Sequence, residues 1–471
     1  MSNKQANIQL KVEKFRSIAE ADIKLNDITL LSGTNGCGKS TLSRLLYYTV
    51  YYINNYEQLA DELLYKLSRD YSQYLLDLYQ SIQNRLGRHE KLIKIKDFPA
   101  YERLRKTTSR FWLLGEEYST APLKEDFLEV LNVCVNAYNS NDLEPSESDR
   151  QQLARFLKKN IENNTAFISG LKQLENSITD LYLQDDIVRE SRPTELVIEQ
   201  IKNSFDNKTL PQFFHINEWG ESIVQCDNNS INDFLGVLRS LKKVVYIDTP
   251  MIMSMEYNSI RRKPFVYQTH WDALMELLYD KSVDEKENEL TQELATIVGG
   301  NIKIKEREGG FVRTSDLRFV SADNEFDINI KEAATGIKSL LILQRLLQID
   351  YLDEFTLLII DEPEAHLHPQ WIVEYAKIVV ELNKRKGVMF LIASHSTDFV
   401  QALSLYGDHE KMLDGDNPQM HFYLAEASQD NTFTFKNCRG DIEPIFKTFN
   451  KSYDIMFDHV KNMSVKDEDN E

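Results

Sequence analysis

The pattern of apolar and polar positions near the start of the chain changes from that of strands to that of a helix. Over residues 8–32, the segments "IQLKVEKF" and "ITLLSG" alternate as two short strands do. The next segment, "KSTLSRLLYYTVYY", carries apolar residues at helical spacing. The pattern therefore predicts a strand, a glycine-containing loop and a helix in immediate succession.

A long helical and polar pattern follows over residues 52–240. Two amphipathic stripes lie in it, formed by Leu59, Leu63, Leu64 and Leu67 and by Leu153, Phe156, Leu157 and Ile161. It is interrupted at Pro99, Pro122, Pro145 and Pro193. Because proline disfavours a helix that runs through it, we expect a compact helical insert and no long coiled coil.

The second half of the chain returns to strand patterns. "FTLLIIDEP" (355–363) and "GVMFLIASH" (387–395) are continuous apolar runs with a helical segment between them, which is typical of a βαβ unit in a parallel sheet. "KKVVYIDTP" (242–250) has the same character, and residues 301–331 alternate around a Gly-Gly pair as β-hairpins do. Further strands are predicted at 421–427 and within "NTFTFKNC".

These patterns predict an α/β fold with a mixed sheet, β-hairpins and a compact helical insert. The predicted regions are 1–51 for the N-terminal part of an α/β head, 52–240 for the insert, and 241–463 for the C-terminal part of the head. Residues 464–471 form a short acidic tail with little to bury, which we expect to be disordered.

The charge of the chain is strongly negative. Its 471 residues include 55 Lys and Arg against 74 Asp and Glu, a formal net charge of −19. Such a chain has no overall attraction for DNA or an anionic membrane, so DNA contact needs a local basic patch. "RLGRHEKLIKIK" and "RLRKTTSRFW" form a basic neighbourhood of that kind, and they also fit the solvated sides of two helices.

Cysteine usage and hydropathy favour a soluble, cytoplasmic protein. Cys37, Cys134, Cys226 and Cys438 are scattered, without a CxxC pair, so neither a zinc site nor a disulfide framework is indicated. No segment approaches the roughly 18 uncharged apolar residues that a spanning helix needs, and no membrane contact is expected.

The segment "GTNGCGKS", Gly33 to Ser40, fits the phosphate-loop pattern G-x-x-x-x-G-K-[ST] between a predicted strand and a predicted helix. Glycines let the backbone N–H groups of such a loop turn towards phosphate, and the helix N-terminus adds partial positive charge. We expect Lys39 to reach the β- and γ-phosphates and Ser40 to ligate Mg²⁺. The predicted nucleotide contacts are Asn35, Gly36, Cys37, Gly38, Lys39, Ser40 and Thr41.

Two adjacent acids, Asp361 and Glu362, end the first buried strand of the second half, and His395 ends the next. Neighbouring strand residues face opposite sides, so the two acids can have different roles. We expect Asp361 to bind Mg²⁺ through water, Glu362 to polarise the attacking water, and His395 to hydrogen-bond that water or the γ-phosphate. Without the phosphate loop, these would be ordinary solvated residues at strand ends.

Together these motifs resemble those of ABC-type ATPases of the SMC, Rad50 and RecF class and of OLD-like ATPases. The resemblance is carried by "FRS", "GTNGCGKST", "LLIIDEPEAHLHP" and "ASHS", and a fifth piece, "KEAATGIKSLLIL", looks like a degenerate ABC signature. It implies an ABC-type ATPase head that binds ATP and Mg²⁺ and hydrolyses ATP. It also implies a homo-oligomer, in which Thr335 and Gly336 of one copy contact the ATP of another.

The sequence departs from the family pattern in two places. "AHLH" (365–368) stands where many members have a D-loop ending in Asp, and "VVYIDTP" offers Asp248 and Thr249 where a Q-loop glutamine is expected. By the same resemblance, Arg16 contacts phosphate or ribose, although an Arg in "KFRSI" equally fits a solvated charge.

Length and sequence character resemble the ATPase subunits of two-gene anti-phage systems, PARIS-type first and Septu-type second. This implies a sensor or switch that responds to a phage-derived trigger and controls a separate nuclease, TOPRIM-type or, as second choice, HNH-type. The alternative is a DNA repair or recombination ATPase that clamps DNA as RecF or Rad50 does. A nuclease domain within this chain is not expected, because the Asp-x-Asp of "LDGDNP" fits an ordinary turn.

Overall fold

The chain forms two compact units. The first comprises Met1–Asn54, Pro193–Tyr257 and Gln268–Glu471, and the second comprises Asn55–Arg192 and Asn258–Tyr267. The computed structural model describes residues 7–86, 98–108, 123–140, 143–206, 208–227, 231–255, 268–283, 285–306, 315–415, 418–428, 430–450 and 456.

Among the described residues, all strands lie in the first unit. They are β1 (Ile8–Phe15), β2 (Ile18–Leu25), β3 (Ile28–Ser32), β4 (Phe213–Glu218), β5 (Glu221–Asp227), β6 (Lys243–Ile247), β7 (Gly300–Glu306), β8 (Ser315–Ser321), β9 (Asp327–Asn329), β10 (Thr356–Asp361), β11 (Met389–Ser394), β12 (Met420–Ala427) and β13 (Phe433–Asn437). Ten of them form one sheet in the order β5-β4-β1-β2-β13-β12-β3-β11-β10-β6, and β7-β8-β9 form a second.

The helices of the first unit include α1 (Lys39–Asn54), α7 (Thr194–Asn203), α8 (His270–Leu278), α9 (Glu289–Val298), α10 (Thr335–Gln348), α11 (Pro369–Lys386) and α12 (Thr397–His409). Those of the second unit are α2 (Tyr56–Leu86), α3 (Pro99–Thr108), α4 (Lys124–Ser140), α5 (Glu147–Leu157) and α6 (Asn164–Ser191). Short 3-10 helices span Pro250–Ser254 and Ile330–Glu332.

The large sheet is mixed. β12, β3, β11, β10 and β6 pair in parallel, whereas β2, β1, β4 and β5 pair antiparallel. The register places Leu31 of β3 beside Ala393 of β11, and Ala393 beside Asp361 of β10. The carboxyl ends of these parallel strands therefore lie side by side, at the edge where ligands bind in open α/β sheets.

Unbroken apolar runs explain the buried centre of the sheet. Every residue of β3, β10 and β11 is buried, as their Leu- and Ile-rich sequences require. α1 packs against β6, β10 and β11, and residues of α10, α11 and α12 share the hydrophobic core with the strands. The βαβ unit predicted over 355–395 is confirmed.

The second unit is helical and has a hydrophobic core of its own. α2 packs against α3, α4 and α6, and α5 packs against α6. Leu75, Tyr79, Leu131, Phe167 and Leu171 are fully buried in this core. The unit therefore has the apolar contacts that an independent helical insert needs.

The predicted limits of the insert, 52–240, are corrected by the structure. The helical unit is shorter, and residues 193–240 instead belong to the first unit. There α7 packs against α1, and β4 and β5 add two antiparallel strands beside β1, with Leu10 opposite Ile216. The physical reason is that this stretch buries its apolar residues by pairing with the N-terminal strand, a partner more than 200 positions away in the chain.

Some predicted features lie outside the described residues. They are the acidic tail 464–471, the Gly-Gly pair at 309–310 and most of the basic neighbourhood of 85–96. The predicted fold class, α/β with a mixed sheet, β-hairpins and a helical insert, is confirmed. In the described part of the chain, no helix combines the length and the hydropathy needed to cross a bilayer.

Candidate functional site

The loop between β3 and α1 follows a path that glycine alone adopts easily. Gly33, Gly36 and Gly38 have φ values of +145°, +79° and +104°. A Cβ on Gly38 would lie 2.6 Å from Cγ1 of Ile18, and one on Gly33 would lie 2.8 Å from Cβ of Ala425. The loop is therefore tightly packed on its protein side, while Gly36 has open space around it.

Lys39 lies at the start of α1 with its side chain folded over this loop. Its Nζ donates hydrogen bonds to the carbonyl oxygens of Gly33 at 2.9 Å and Thr34 at 3.2 Å, and it lies 3.8 Å from Sγ of the buried Cys37. Asn35 is exposed. Backbone amides at the start of a helix and a lysine ammonium are groups that can bind phosphate, which is the role that the sequence predicts for them.

Asp361 ends β10 and is buried beside α1. Its Oδ1 accepts a hydrogen bond from Oγ of Ser43 at 2.8 Å, and its Oδ2 accepts one from the hydroxyl of Tyr246 at 2.7 Å. The hydroxyl of Ser40 also hydrogen-bonds to this carboxylate. Burial raises the pKa of Asp361, and the hydrogen bonds from Ser40, Tyr246 and Ser43 oppose that shift without cancelling it.

The hydroxyl of Ser40 and the carboxylate of Asp361 are suitable ligands for a Mg²⁺ ion that is bound together with a triphosphate. Hydroxyl and carboxylate oxygens are the ligands Mg²⁺ prefers, and it usually takes one or two protein groups with phosphate oxygens and waters. In the described part of the chain, no cluster of three or more His, Cys, Asp or Glu side chains could hold a metal ion unaided. Ser40 and Asp361 are the residues that would hold it.

Glu362 and His395 meet at the ends of adjacent strands. Nδ1 of His395 lies 3.4 Å from Oε1 of Glu362, and both side chains are about half exposed. Glu362 adopts a left-handed backbone conformation with φ +50°, which is unusual for a residue other than glycine and is found disproportionately at functional sites. The structure thus brings together the two residues predicted to contact the attacking water.

Glu364 is a third acid of this site that sequence reasoning missed. Its Oε1 accepts hydrogen bonds from Oγ of Ser394 and the backbone N–H of His395, both at 2.9 Å, and lies 3.3 Å from Nδ1 of His395. Its Oε2 is buried and has no hydrogen-bond partner among the described residues. Glu364 therefore anchors the His395 turn to the segment after β10. The signal in the sequence was the second Glu of "DEPEAH".

Asp248, at the end of β6, belongs to an aromatic cluster next to Asp361. Its carboxylate accepts hydrogen bonds from Nε2 of His270 at 2.9 Å and Nε1 of Trp271 at 2.7 Å. Burial acts to raise the pKa of Asp248, but hydrogen bonding and charge attraction from His270, with smaller effects of Trp271 and Arg44, lower it overall. Asp248 is thus held by neighbours within its own unit.

Arg16 lies in the turn between β1 and β2, next to the phosphate loop. Its guanidinium is exposed and stacks over the ring of Phe205 at 4.9 Å. The same turn places Ile18 against Gly38. Arg16 thus precedes residues that pack against the phosphate loop, while its own side chain stacks on the ring of Phe205.

Thr335 and Gly336 begin α10 in a different neighbourhood. Oγ1 of Thr335 contacts Sδ of Met251 at 3.6 Å, and a Cβ on Gly336 would lie 2.8 Å from the carbonyl oxygen of His366. The residue before the helix, Ala334, provides no side-chain cap. The N-cap position of α10 therefore supplies no side-chain hydrogen bond, and Gly336 packs on the 364–368 turn.

Comparison with known families decides the assignment. The AAA ATPase domain family matches residues 8–400, which is most of the chain. The chain belongs to the AAA ATPase domain family. No curated protein matches it.

Solved structures similar to this AAA ATPase domain include three SMC heads. They are the Smc head domain with an extended coiled coil bound to the C-terminal domain of ScpA from Pyrococcus furiosus (10% identity, 95% of this chain and 100% of that one, TM-score 0.33), the SMC head domain from Thermotoga maritima (8%, 92% and 98%, 0.33) and the Smc head domain with a coiled coil and joint from Pyrococcus yayanosii (12%, 95% and 100%, 0.34). At these scores we take no functional conclusion from them.

Proposed function

We propose that this AAA ATPase domain binds ATP with Mg²⁺ and hydrolyses it, as an ABC-type ATPase of the SMC/Rad50 kind. The observation that carries the proposal is the edge formed by four parallel strands. It places the phosphate loop with Lys39 after β3, His395 after β11, Asp361 and Glu362 at the end of β10, and Asp248 after β6.

Each residue has a chemical role in the proposed reaction. Lys39 and the loop amides bind the β- and γ-phosphates, and the bound ion supplies positive charge that offsets the charge of the triphosphate. Glu362 accepts a proton from the attacking water, and His395 orients that water or the γ-phosphate. Glu364 holds the backbone of His395 and so fixes where its imidazole lies.

The first test separates binding from hydrolysis. Replacing Lys39 by Ala removes a charge-assisted contact of about 1.5–3 kcal/mol, so ATP affinity should fall about 10–100-fold. Replacing Glu362 by Gln keeps the shape of the side chain, and phosphate release should fall about 10²–10⁴-fold with ATP still bound. Equilibrium binding of a fluorescent ATP analogue and a phosphate-release assay measure the two effects. Normal phosphate release by Glu362→Gln would show that another group activates the water.

We also propose that ATP links copies of the chain into a homo-oligomer, at least a dimer. The start of α10 supports this, because its N-cap residue, Ala334, offers no side-chain acceptor and the N–H groups of the first turn can face the γ-phosphate held by a second copy. Mass photometry of the Glu362→Gln protein should show a larger species with Mg·ATP than with Mg·ADP. Identical mass distributions in both conditions would contradict the oligomer.

The biological role we propose is that of a switch in anti-phage defence that controls a separate nuclease, of TOPRIM type first and HNH type second. Its support is the sequence character set out above, together with a second, helical unit that contributes none of the predicted nucleotide-site residues. Purification from the native host with and without ATP tests it, and recovery of a nuclease in an ATP-dependent way is the expected result.

DNA clamping is the competing role. Two arginines of the basic neighbourhood are engaged with acids, since Arg103 pairs with Asp126 at 2.6 Å and Arg105 with Glu102 at 2.9 Å. Both arginines are more than half exposed, so these pairs contribute little energy, but they reduce the free positive charge available to phosphate. Tight DNA binding that weakens steeply with added salt would favour clamping over the defence role.

A further inference from the structure

We infer that Tyr246 and Ser43 are positioning residues for Mg²⁺: by bonding one oxygen each, they hold the Asp361 carboxylate in a single orientation for the ion. The inference rests on the proposed function, because it concerns the same site. Neither residue belongs to the phosphate-loop motif or to the acidic motif.

The geometry around Asp361 restricts the rotation of its carboxylate. The terminal torsion of an aspartate is broad and roughly two-fold, so an isolated carboxylate plane is poorly fixed. Here Ser43 donates to Oδ1 and Tyr246 donates to Oδ2, at 2.8 and 2.7 Å. One donor on each oxygen fixes the plane, and an ionised carboxylate retains further lone pairs for a water or an ion.

Tyr246 is itself held in place. It lies on β6 opposite Ile359 of β10, and its ring is fully buried. The ring packs against His270, with centroids 4.7 Å apart, and against Tyr47 at 5.9 Å.

His270, the first residue of α8 and a packing partner of Tyr246, is itself held by hydrogen bonds. The hydroxyl of Tyr48 lies 3.3 Å from Nδ1 of His270, and Asp248 lies 2.9 Å from its Nε2, so both nitrogens of the imidazole are engaged. The donor that reaches Asp361 is therefore positioned by the sheet on one side and by the first turn of α8 on the other. Such outer contacts typically change metal affinity or activity by about 10–100-fold when removed.

The test uses Tyr246→Phe and Ser43→Ala in the full chain, each of which removes a hydroxyl and little else. Equilibrium binding of a fluorescent ATP analogue is titrated with Mg²⁺, and the affinity is also measured in EDTA. We expect the Mg²⁺ concentration at half-maximal effect to rise about tenfold or more in each variant, with unchanged affinity in EDTA. Tyr74→Phe is the matched control, since it removes a buried hydroxyl from the second unit.

The outcomes are distinguishable. An unchanged Mg²⁺ requirement in both variants, with a normal requirement in the wild type, overturns the inference and leaves the proposed function standing. A wild-type protein whose nucleotide binding does not respond to Mg²⁺ overturns both. If Tyr246→Phe lowers the melting temperature too far for titration, Ser43→Ala decides alone. A merely structural role would lower the melting temperature without moving the Mg²⁺ requirement.

Discussion

Gly336 offers the sharpest test of why a small residue begins α10. Replacing it by Ala adds one methyl group, and the ideal Cβ position is 2.8 Å from the carbonyl oxygen of His366 and 3.3 Å from Cδ2 of Leu367. A backbone oxygen cannot move aside as a side chain can. The start of α10 and the 364–368 turn must therefore separate by several tenths of an ångström.

The change in stability that we expect for Gly336→Ala follows from two opposing effects. Forcing an extra methyl group into a packed site costs about 1–3 kcal/mol. Ala gains at most about 1 kcal/mol over Gly in a helix interior, and less in the first turn. We expect a net loss of about 1–2 kcal/mol and a fall of roughly 2–8 °C in melting temperature, if the response per kcal/mol is that of mid-sized domains. ATP hydrolysis should also fall, because the 364–368 turn carries Glu364, which holds His395.

The matched control is Gly170→Ala in α6. Its Cβ would lie 2.9 Å from a side-chain methyl, Cδ2 of Leu153, which can rotate away. Helix propensity then dominates, and stability should change by less than about 1 kcal/mol. Thermal unfolding followed by circular dichroism and a phosphate-release assay measure both variants. If Gly336→Ala melts like the wild type, packing on His366 is not the reason for the glycine.

Two further predictions concern buried groups. The hydroxyl of Tyr74 is buried without a partner in the described structure, so Tyr74→Phe should stabilise the protein by about 1 kcal/mol in urea unfolding, and a loss would reveal a hidden partner. Burial and the charge of Lys24 lower the pKa of His421 to about 4, from 6.5. The unfolded chain therefore binds more protons between pH 6.5 and 4, and stability should fall by about 2–3 kcal/mol as the pH drops through that window. His421→Gln should lack this component, and an identical pH profile in wild type and variant would contradict the assignment.

The elements that could be predicted from the sequence are those whose signal lies in consecutive residues of the chain. The phosphate loop, β10, β11 and the helix between them depend on local patterns, so their positions could be read directly. That residues 193–240 belong to the first unit could not be predicted from local patterns, because β4 becomes a strand of the sheet by pairing with β1 near the N-terminus. The Trp219-Gly220 turn, with φ values of +56° and +81°, was the local sign of that hairpin.

The residues of the candidate site also fall into those that a local motif identifies and those that it does not. Lys39, Ser40, Asp361, Glu362 and His395 belong to motifs, and the structure places them along one edge of the sheet. The groups that hold them come from elsewhere: Tyr246 is 115 positions from Asp361. A tyrosine in a buried strand has no feature in sequence that distinguishes a packing role from a hydrogen bond to a carboxylate.

The strand order also bears on how the protein is made. β12 pairs with β3 on one side and with β13 on the other, and β13 in turn pairs with β2 of the N-terminal hairpin formed by β1 and β2. Gly33 packs against Ala425, so a loop that leaves the ribosome early acquires this neighbour only after residue 425 has been synthesised. Contacts this distant slow folding. Chains truncated before residue 420 should therefore expose the loop to proteases, whereas released chains that include β12 and β13 should protect it.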